Sequence, residues 1–432
     1  MSPTRQQSIT FHEQVEPILQ KHCQQCHHRG GNAPFALEQY DDAKEKGRTI
    51  RRVVTERQMP PWGASPTYGK FSNNHSLDDH QIAAIAAWVN AGTPRGNSAK
   101  APLPRKFPSD WEIGQPDATF TTPAFDVPAE GKLRYRYARI KTSFAEDRWV
   151  EAMQIRSTAA ETVHHVLIFL ENVRPSQRGT KRPWRPPFNP ISLLQGADPK
   201  DWPQWIARYS DLIQRDLMVG TAGGMDGYFM TSSSGNIPMI YPEGRAKLLP
   251  AGATLVFQIH YTPSGKPQTS ETTLALRFAK QPPREAVDTG AVAAVTFIIP
   301  PGAANYTTEA TTRFQRDAML LSLNPHMHVR GKSFRYVAEY PDGRKEILLD
   351  VPRFDFNWQL DYIFADPLRL PRGTVLRSIA TYDNSPNNPA NPDPKKEVYF
   401  GIQTEDEMLI GYFTAVWMEP TKKSTLPQSA KQ

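Results

Sequence analysis

Leu321-Ser-Leu-Asn-Pro-His-Met-His328 is a stretch that ends in two histidines separated by one residue. Successive side chains of a β-strand point to opposite faces, so residues two apart project from the same face. On a strand, His326 and His328 would therefore be placed to chelate one metal ion. The alternative for an isolated His-x-His pair is two histidines on a solvated sheet face.

The distribution of histidine along the chain favours the metal site. Six of the eleven histidines lie at or before His80. The rest of the chain contains one adjacent pair, one single residue and one alternate pair, which are His164, His165, His260, His326 and His328. Histidines used as ordinary surface or core residues would be scattered, so this pattern indicates ligands.

The composition predicts a mainly β protein of several domains. A chain of 432 residues has room for roughly two to four domains, each with its own core. Forty prolines separate short apolar runs, which favours many short strands over helical bundles. No apolar run has the length of a membrane span. The net charge of +7 is interspersed with acidic residues, so we expect no nucleic-acid surface.

The only two cysteines form the motif Cys23-Gln-Gln-Cys26-His27. This is the pattern of covalent c-type haem attachment, with two thioethers to the porphyrin and His27 as proximal iron ligand. A redox dithiol is the alternative. The remainder of the chain has no cysteine, which excludes disulfides, zinc ribbons, iron–sulfur clusters and blue-copper centres there.

Two helices are predicted around this motif. One is short, from Pro17 to His22, and the other has Ser76 as N-cap, acidic residues in its first turn and Gly92 as its stop. Met59 is the favoured distal haem ligand, because it is the only methionine between Met1 and Met153. The rival ligands are His12, His22, His28, His75 and His80.

Residues 9 to 97 resemble the small cytochrome c domains that are fused to bacterial redox enzymes. The resemblance is carried by Val15-Glu-Pro-Ile-Leu, the Cys-x-x-Cys-His motif, Met59-Pro-Pro-Trp62 and Ala87-Trp-Val-Asn-Ala-Gly92. It predicts a cytochrome c domain at residues 1–97. It also implies a periplasmic or exported protein whose leader is absent from this sequence. Residues 98–111 are rich in proline and lysine and predict a linker.

Three histidines follow on two predicted strands. Thr162–Leu170 opens on His164 and His165, and Thr254–Tyr261 contains His260. Adjacent residues of a regular strand face opposite ways, so both members of the pair can bind one metal only if the backbone twists or the rings use different nitrogens. Three imidazoles suit copper or zinc. We assign no role to residues 171–245, where Trp184, Trp202 and Trp205 predict packing and residues 202–216 a helix.

A second set of strands is predicted after residue 284, at Ala318–Leu323, Phe334–Glu339, Val375–Tyr382 and Glu407–Val416. A methionine would complete a His₂Met site, and its soft thioether favours copper(I) over zinc. The candidates are Met319, Met327, Met408 and Met418, among which the sequence alone does not choose.

The histidine motifs occur in a recognisable order: His164-His165-Val-Leu, Gln258-Ile-His260-Tyr261, His326-Met-His328 before Gly331, and Glu407-Met408 before Tyr412. Over roughly residues 112 to 420 the chain resembles the copper type II, ascorbate-dependent monooxygenases, which include peptidylglycine α-hydroxylating monooxygenase and dopamine β-monooxygenase. The resemblance implies two tandem, jelly-roll-like β-sandwich lobes, at residues 112–283 and 284–432, that face each other across an open cleft.

The resemblance also implies the ligands and the reaction. His164, His165 and His260 would hold an electron-transferring copper ion in the first lobe. His326, His328 and Met408 would hold the catalytic copper ion in the second, where O₂ is used to hydroxylate a C–H bond of a small organic substrate. The fused haem is then expected to pass electrons from an external donor to the His₃ copper.

The chain departs from the peptide-amidating members near the expected substrate pocket. Those members have an arginine two residues before the His-x-His and an asparagine two after the methionine, where this chain has Asn324 and Ile410; Tyr412 is retained. Asn324 and Tyr412 remain candidate pocket residues, and glycine-extended peptides are not expected as substrates. Two other functions remain open: a non-catalytic copper-binding or electron-transfer protein, and a zinc hydrolase with Glu161 as its base.

Overall fold

The computed structural model describes residues 9–418 except residues 32, 109, 132, 172–227, 234–237, 295 and 402. The fold is mainly β, as predicted. The tryptophans at 184, 202 and 205 and the helix predicted at 202–216 lie outside the described residues. No helix of the described residues is long and apolar enough to cross a membrane.

The N-terminal part is helical. Its α-helices are α1 (Glu16–His22), α2 (Tyr40–Glu45), α3 (Gly47–Thr55) and α4 (Asp79–Asn90), with a π-helical turn at Phe11–Val15 before α1. They enclose a core that includes the fully buried Phe11, Leu19, Ile85 and Trp88. Apolar side chains are thereby removed from water on one shared face of each helix.

Both predicted helices are present, but the predicted N-cap of the second is wrong. Asp78, not Ser76, caps α4: its carboxylate accepts from the backbone N–H of Gln81, and the Gln81 side chain accepts from the Asp78 N–H. This reciprocal pair satisfies two donors, whereas the Ser76 hydroxyl donates to Asn74 in the preceding turn. Gly92, with φ of +84°, follows the end of the helix as expected.

The described residues after the helices form mainly strands. The first eleven are β1 (Ala118–Thr121), β2 (Phe125–Val127), β3 (Arg136–Lys141), β4 (Arg148–Ser157), β5 (Val163–Glu171), β6 (Tyr228–Ser233), β7 (Met239–Ile240), β8 (Arg245–Leu249), β9 (Thr254–Tyr261), β10 (Gln268–Ser270) and β11 (Thr272–Phe278). The others are β12 (Glu285–Ala294), β13 (Ile298–Ile299), β14 (Tyr306–Arg313), β15 (Ala318–His326), β16 (Gly331–Glu339), β17 (Lys345–Val351), β18 (Tyr362–Leu370), β19 (Val375–Tyr382), β20 (Val398–Tyr399) and β21 (Leu409–Trp417).

Two layered β units follow from the pairing of these strands. In the first, the antiparallel sheet β3-β9-β5-β6 shares a core with strands β1, β11, β4 and β8. In the second, the sheet β14-β19-β16-β17 shares a core with strands β12, β21, β15 and β18. Strands β16 and β19 alternate buried and more exposed residues, as in a β-sandwich. Strands β9, β15 and β21 are instead buried along nearly their whole length.

The two units are joined through one continuous sheet. Strand β8 of the first pairs in parallel with β12 of the second, with Ala246 opposite Ala286. At this junction the ammonium group of Lys247 is buried and donates to the carbonyl oxygens of Tyr228 and Phe229 and to the hydroxyl of Thr289. A buried lysine is tolerated only when its donors are satisfied, so these bonds hold strands of both units in register.

The proline-rich segment predicted as a linker lies against the helical part. The carbonyl of Leu103 accepts from the Gln20 side chain, and Arg105 donates to the Gln20 carbonyl. Phe107 stacks on His28 beside the cysteine motif, with ring centroids 3.9 Å apart. These contacts fix the start of the β region relative to the helices.

Candidate metal centre

A local irregularity brings the adjacent histidines His164 and His165 to one place. The pairing of β5 with β9 shifts register between Val163 and His165, and His165 lies directly opposite His260. The irregularity supplies the backbone twist that the sequence required of an adjacent pair. One ligand nitrogen from each of His164, His165 and His260 lies within 4.8 Å of the other two.

The rings of His164 and His165 contact each other through their nitrogens. The Nδ1 atoms of His164 and His165 are 2.8 Å apart, and Nε2 of His164 lies 3.1 Å from Oδ1 of Asn357. Donation from Nε2–H to Asn357 makes Nδ1 the unprotonated nitrogen of His164, which is the form that can ligate a metal. Nδ1 of His260 is buried and has no hydrogen-bond partner among the described residues. Such an orphaned buried nitrogen is expected at a metal site.

The second pair lies at the end of β15. The strand predicted at Ala318–Leu323 extends in the structure to His326, and His328 follows it. The two rings nevertheless meet, perpendicular to each other, with centroids 5.3 Å apart. Nδ1 of His326 bonds to the Gln359 side chain, and Nδ1 of His328 to the Asp406 carbonyl at 3.1 Å. Since Nδ1–H is the donor in both bonds, each Nε2 is available as a ligand.

Met408 immediately precedes β21, the strand that pairs with β15. In the antiparallel ladder of these strands, Asn324 pairs with Tyr412 and His326 with Ile410, where the ladder ends. The backbone N–H groups of His328 and Met408 both donate to the Glu407 carboxylate, so the two residues lie on adjoining segments. Met327 and Met408 both belong to the core of the second unit.

Glu407 is a site residue that the sequence analysis missed. It is fully buried, and its carboxylate accepts from the backbone N–H groups of His328 at 2.9 Å, Arg330 at 2.6 Å and Met408 at 3.3 Å. Burial raises the pKa of this carboxyl to about 8, against the opposing effect of these donors. Glu407 thus fastens the turn after His326 to the segment that carries Met408. Its only sequence signal is an acid immediately before an apolar strand.

The five imidazoles are neutral at pH 7. Desolvation lowers the pKa of His260 and of His326 to about 4 and that of His328 to about 3, and it lowers the pKa of His164 and of His165 as well. All five side chains are buried. A metal ion therefore meets unprotonated ligands and displaces no proton from them.

Phe356 lies between the two histidine groups. Its ring stacks on His164 with centroids 4.8 Å apart and lies 5.9 Å from the ring of His260 and 6.2 Å from that of His328. Phe356 belongs to the segment between β17 and β18. The open cleft implied by the resemblance is therefore absent at this point among the described residues, because a side chain of the second unit fills the space between the groups.

The candidate pocket residues Asn324 and Tyr412 lie together beside His326. The rings of His326 and Tyr412 are 6.2 Å apart, and Tyr412 stacks on Tyr228 of the first unit at 4.4 Å. Both residues line a cavity of about 10 Å³, roughly the space of one water molecule, that also borders Lys247 and Asp361. The Asn324 Nδ2 group is buried without a hydrogen-bond partner among the described residues, so it offers donors to a bound molecule.

The cysteine motif has the donor set that haem attachment requires. Cys23 and Cys26 are free thiols, and His27 follows in the same turn, with its N–H donating to the Cys23 carbonyl at 2.9 Å. Nδ1 of His27 bonds to the Phe35 carbonyl at 3.0 Å, which leaves Nε2 for iron. Burial raises the pKa of Cys23 to about 12 and that of Cys26 to about 11. Met59 is half-buried after α3.

Two of the rival distal histidines are bonded through both ring nitrogens. His22 bonds to the carbonyl of His75 at 3.1 Å and to the Gln81 side chain at 3.1 Å, and His75 bonds to the carbonyls of Asn73 and Pro61. His12 bonds to Glu16 at 2.7 Å through Nδ1, while its Nε2 is buried without a partner among the described residues, so His12 remains a rival to Met59.

Comparison with known proteins adds little. No protein-family model and no curated protein matches the chain. The major capsid protein P2 of bacteriophage PM2 aligns at 10% identity over 71% of this chain and 99% of its own, with a TM-score of 0.26. VP54 of PBCV-1, fitted into a reconstruction of the virophage Sputnik, aligns at 10% identity over 69% of this chain and 92% of its own, with a TM-score of 0.21. Likenesses this distant support no conclusion about function.

We predict that Glu407→Gln weakens metal binding at the second pair. The glutamine keeps one oxygen acceptor, but its amide N–H groups face the backbone donors of His328 and Arg330. We expect the affinity for copper to fall by roughly ten- to a hundredfold, as for other groups that orient metal ligands. Anaerobic titration against a chromogenic copper(I) chelator measures this. Glu405→Gln, two residues away with an exposed side chain, is the matched control. Equal affinities for both variants and the parent would contradict the role of Glu407.

A second prediction concerns pH. Between about pH 6.5 and pH 4 the unfolded chain protonates its histidines while His260 and His326 stay neutral in the folded state. The unfolded state then binds more protons, so the stability of the metal-free protein decreases as the pH is lowered through this window, by up to about 1.4 kcal/mol per group and pH unit. Urea unfolding at several pH values tests this. A His326→Gln, His328→Gln double variant should show a shallower dependence, and identical slopes would refute the assignment.

Proposed function

We propose that this protein is a copper-dependent monooxygenase that hydroxylates a substrate C–H bond with O₂, with electrons supplied through a covalently attached c-type haem. The observation that carries the proposal is the convergence of five buried histidines, remote in sequence, into two groups of different composition. One group has three imidazoles, and the other has two imidazoles next to the segment that carries Met408. Their order along the chain is that of the copper type II monooxygenases.

The donor sets favour copper. Neutral imidazole suits copper and zinc alike, but a thioether is a soft ligand that favours copper(I). A zinc hydrolase would also need a general base within reach of the metal-bound water. Its candidate, Glu161, lies in a 3₁₀ turn before β5 and is exposed. This placement gives no support to the hydrolase reading.

The reaction balances as substrate C–H plus O₂, two electrons and two protons, which give C–OH and water. Copper held by His326, His328 and Met408 would supply oxygen activation, and copper held by His164, His165 and His260 would supply single-electron transfer. The chain itself provides ligand orientation through Gln359, Asp406 and Asn357, and a largely desolvated setting in which competing reactions with water are suppressed.

The substrate site is proposed beside His326, at Asn324 and Tyr412. The unpartnered amide of Asn324 would donate to an oxygen of a small organic substrate, and the stacked rings of Tyr228 and Tyr412 would supply apolar contact. Lys247, the nearby fixed cation, already donates to three protein oxygens. A neutral polar group therefore suits this site better than the carboxylate that arginine binds in the peptide-amidating members.

The haem motif also bears on the location of the protein in the cell. Cys23, Cys26 and His27 would hold the haem with Met59 as distal ligand, and an external one-electron donor would reduce it. Since bacteria attach c-type haem outside the cytoplasm, we propose a periplasmic or exported protein. A protein that binds copper but consumes no oxygen in the presence of any substrate would instead be a copper carrier or electron-transfer protein.

Ligand variants test the division of roles. We expect His326→Ala and Met408→Leu to lower oxygen-dependent substrate hydroxylation by roughly a hundredfold or more, because each removes a ligand of the oxygen-activating ion. His260→Ala should instead slow reduction of the second copper, seen as a smaller rate of copper(II) EPR signal loss. Met418→Leu is the control for Met408→Leu. Full turnover in Met408→Leu with both coppers loaded would assign the third ligand to another residue.

The electron relay is tested by rapid mixing. When the reduced, copper-loaded protein meets O₂ and substrate, we expect haem absorbance to change to the oxidised spectrum in step with product formation. A His27→Ala variant should lose turnover with a protein electron donor while keeping turnover with ascorbate. Haem that stays reduced while product accumulates would exclude the relay and leave the monooxygenase assignment intact.

A further inference from the structure

The helical part is docked on the second β unit through residues 62–73, which we call the docking segment. The backbone of Ser65 donates to the Asp350 carbonyl at 2.7 Å, that of Ser72 to the Ile363 carbonyl at 2.8 Å, and Ala365 donates back to the Lys70 carbonyl at 2.8 Å. These bonds add the docking segment to the ends of strands β17 and β18.

Side chains reinforce this docking. Asn73 donates to the Asp361 carbonyl at 2.7 Å and accepts from the Ile363 N–H at 3.1 Å. Trp62 packs edge-on against Tyr362, with ring centroids 4.9 Å apart. Gly63 fits where a side chain would not, because an added Cβ would lie 2.9 Å from Val351. The docking is thus made of matched hydrogen bonds and close aromatic packing.

All of these contacts fall on the two ends of one loop. Residues 352–361 connect β17 to β18, and we call them the bridging loop. The docking segment touches residues 350 and 351 on one side of the loop and residues 361 to 365 on the other. The guanidinium of Arg353 also donates to the carbonyl of Arg57 in the helical part, at 3.3 Å.

The middle of the bridging loop touches both histidine groups. Asn357 bonds to Nε2 of His164, and Phe356 stacks on the same ring. Gln359 bonds to Nδ1 of His326 and also donates to the Phe356 carbonyl at 3.1 Å, which ties the two contacts together. One loop therefore orients a ligand of each metal group.

The docking segment is connected in turn to the cysteine motif. Trp62 packs against His75 with ring centroids 5.1 Å apart, and the carbonyl of His75 accepts from His22, the residue that precedes Cys23. Nε2 of His75 bonds to the Pro61 carbonyl at 2.8 Å. A contiguous set of contacts thus runs from the motif through Trp62 to the loop.

We propose that the bridging loop couples the helical domain to both histidine groups, so that the docked domain positions the metal ligands and is a working part of the metal centre. The inference rests on the proposed function only in taking copper as the metal. This coupling is distinct from electron transfer out of the haem, because it requires the geometry of the metal ligands to depend on docking of the helical domain. By linkage, metal bound at the histidines must stabilise the docked arrangement to the same extent that docking strengthens metal binding.

Two docking variants test the proposal in the full-length protein. Asn73→Ala removes two hydrogen bonds at the loop end, and Trp62→Ala removes the aromatic contact with Tyr362. We expect amide hydrogen exchange of residues 352–361 in the metal-free protein to become roughly fivefold faster or more in both, and the copper(I) affinity of the histidine groups to fall by a similar factor. Asn97→Ala and Trp111→Ala, at a local turn and in the first β unit, are the matched controls.

The outcomes separate the two proposals. Faster exchange with weaker copper binding in the docking variants supports the coupling. Exchange and affinity equal to those of the control variants would overturn it while leaving the monooxygenase proposal standing. Failure of the parent protein to bind copper would refute the proposed function, and the exchange measurement on the metal-free protein would still decide whether docking holds the loop. Circular dichroism checks that each variant is folded. If Trp62→Ala does not fold, the test rests on Asn73→Ala, which keeps the aromatic packing of Trp62 on Tyr362.

Discussion

The structure depends on keeping five imidazoles buried, neutral and correctly oriented. Burial alone makes this costly, because an imidazole ring without a polar partner loses its hydrogen bonds with water. The cost is offset where one ring nitrogen donates to a protein oxygen, as His326 does to Gln359 and His328 to the Asp406 carbonyl. These bonds fix which nitrogen carries the proton and therefore which lone pair would face a bound metal ion. Nδ1 of His260, which is buried without a partner among the described residues, would be satisfied by such an ion.

Much of this arrangement could be predicted from the sequence. Strand periodicity located β5, β9 and β15, and histidine content marked the ligands on them. The strand period also implied that His164 and His165 could bind one metal ion only if the backbone departs there from a regular strand. The register shift beside them is such a departure. What sequence could not supply were the partners that orient the rings. Asn357 is 193 residues from His164 along the chain, and no local pattern marks it or Phe356. Such contacts depend on tertiary packing, which leaves no periodic signal.

In the helical part, too, the elements could be predicted from the sequence, whereas some of the contacts that fix them could not. Both α1 and α4 were predicted, the second from its cap, its acidic first turn and Gly92, but the cap was assigned to Ser76 and the structure has Asp78 there. Both residue types are good caps, and the reciprocal bond with Gln81 decides between them. The docking of Trp62 on Tyr362 was also hidden, because Met59-Pro-Pro-Trp62 was interpreted as a haem loop alone. The haem contact expected of this segment gave no indication that Trp62 also packs against the second β unit.

The surroundings of the two histidine groups differ in a way that bears on their roles. Beside the second pair lies the buried carboxyl of Glu407, whose oxygens are occupied by backbone N–H groups of the very residues that frame the site. These hydrogen bonds hold the turn after His326 against the segment before β21. The first group has imidazole nitrogens alone and an aromatic neighbour, Phe356. A thioether favours the reduced ion, the form that reacts with O₂, whereas three imidazoles accept both oxidation states. If the proposed function holds, this asymmetry would give oxygen chemistry to the pair and electron transfer to the triad, with Phe356 in contact with rings of both groups.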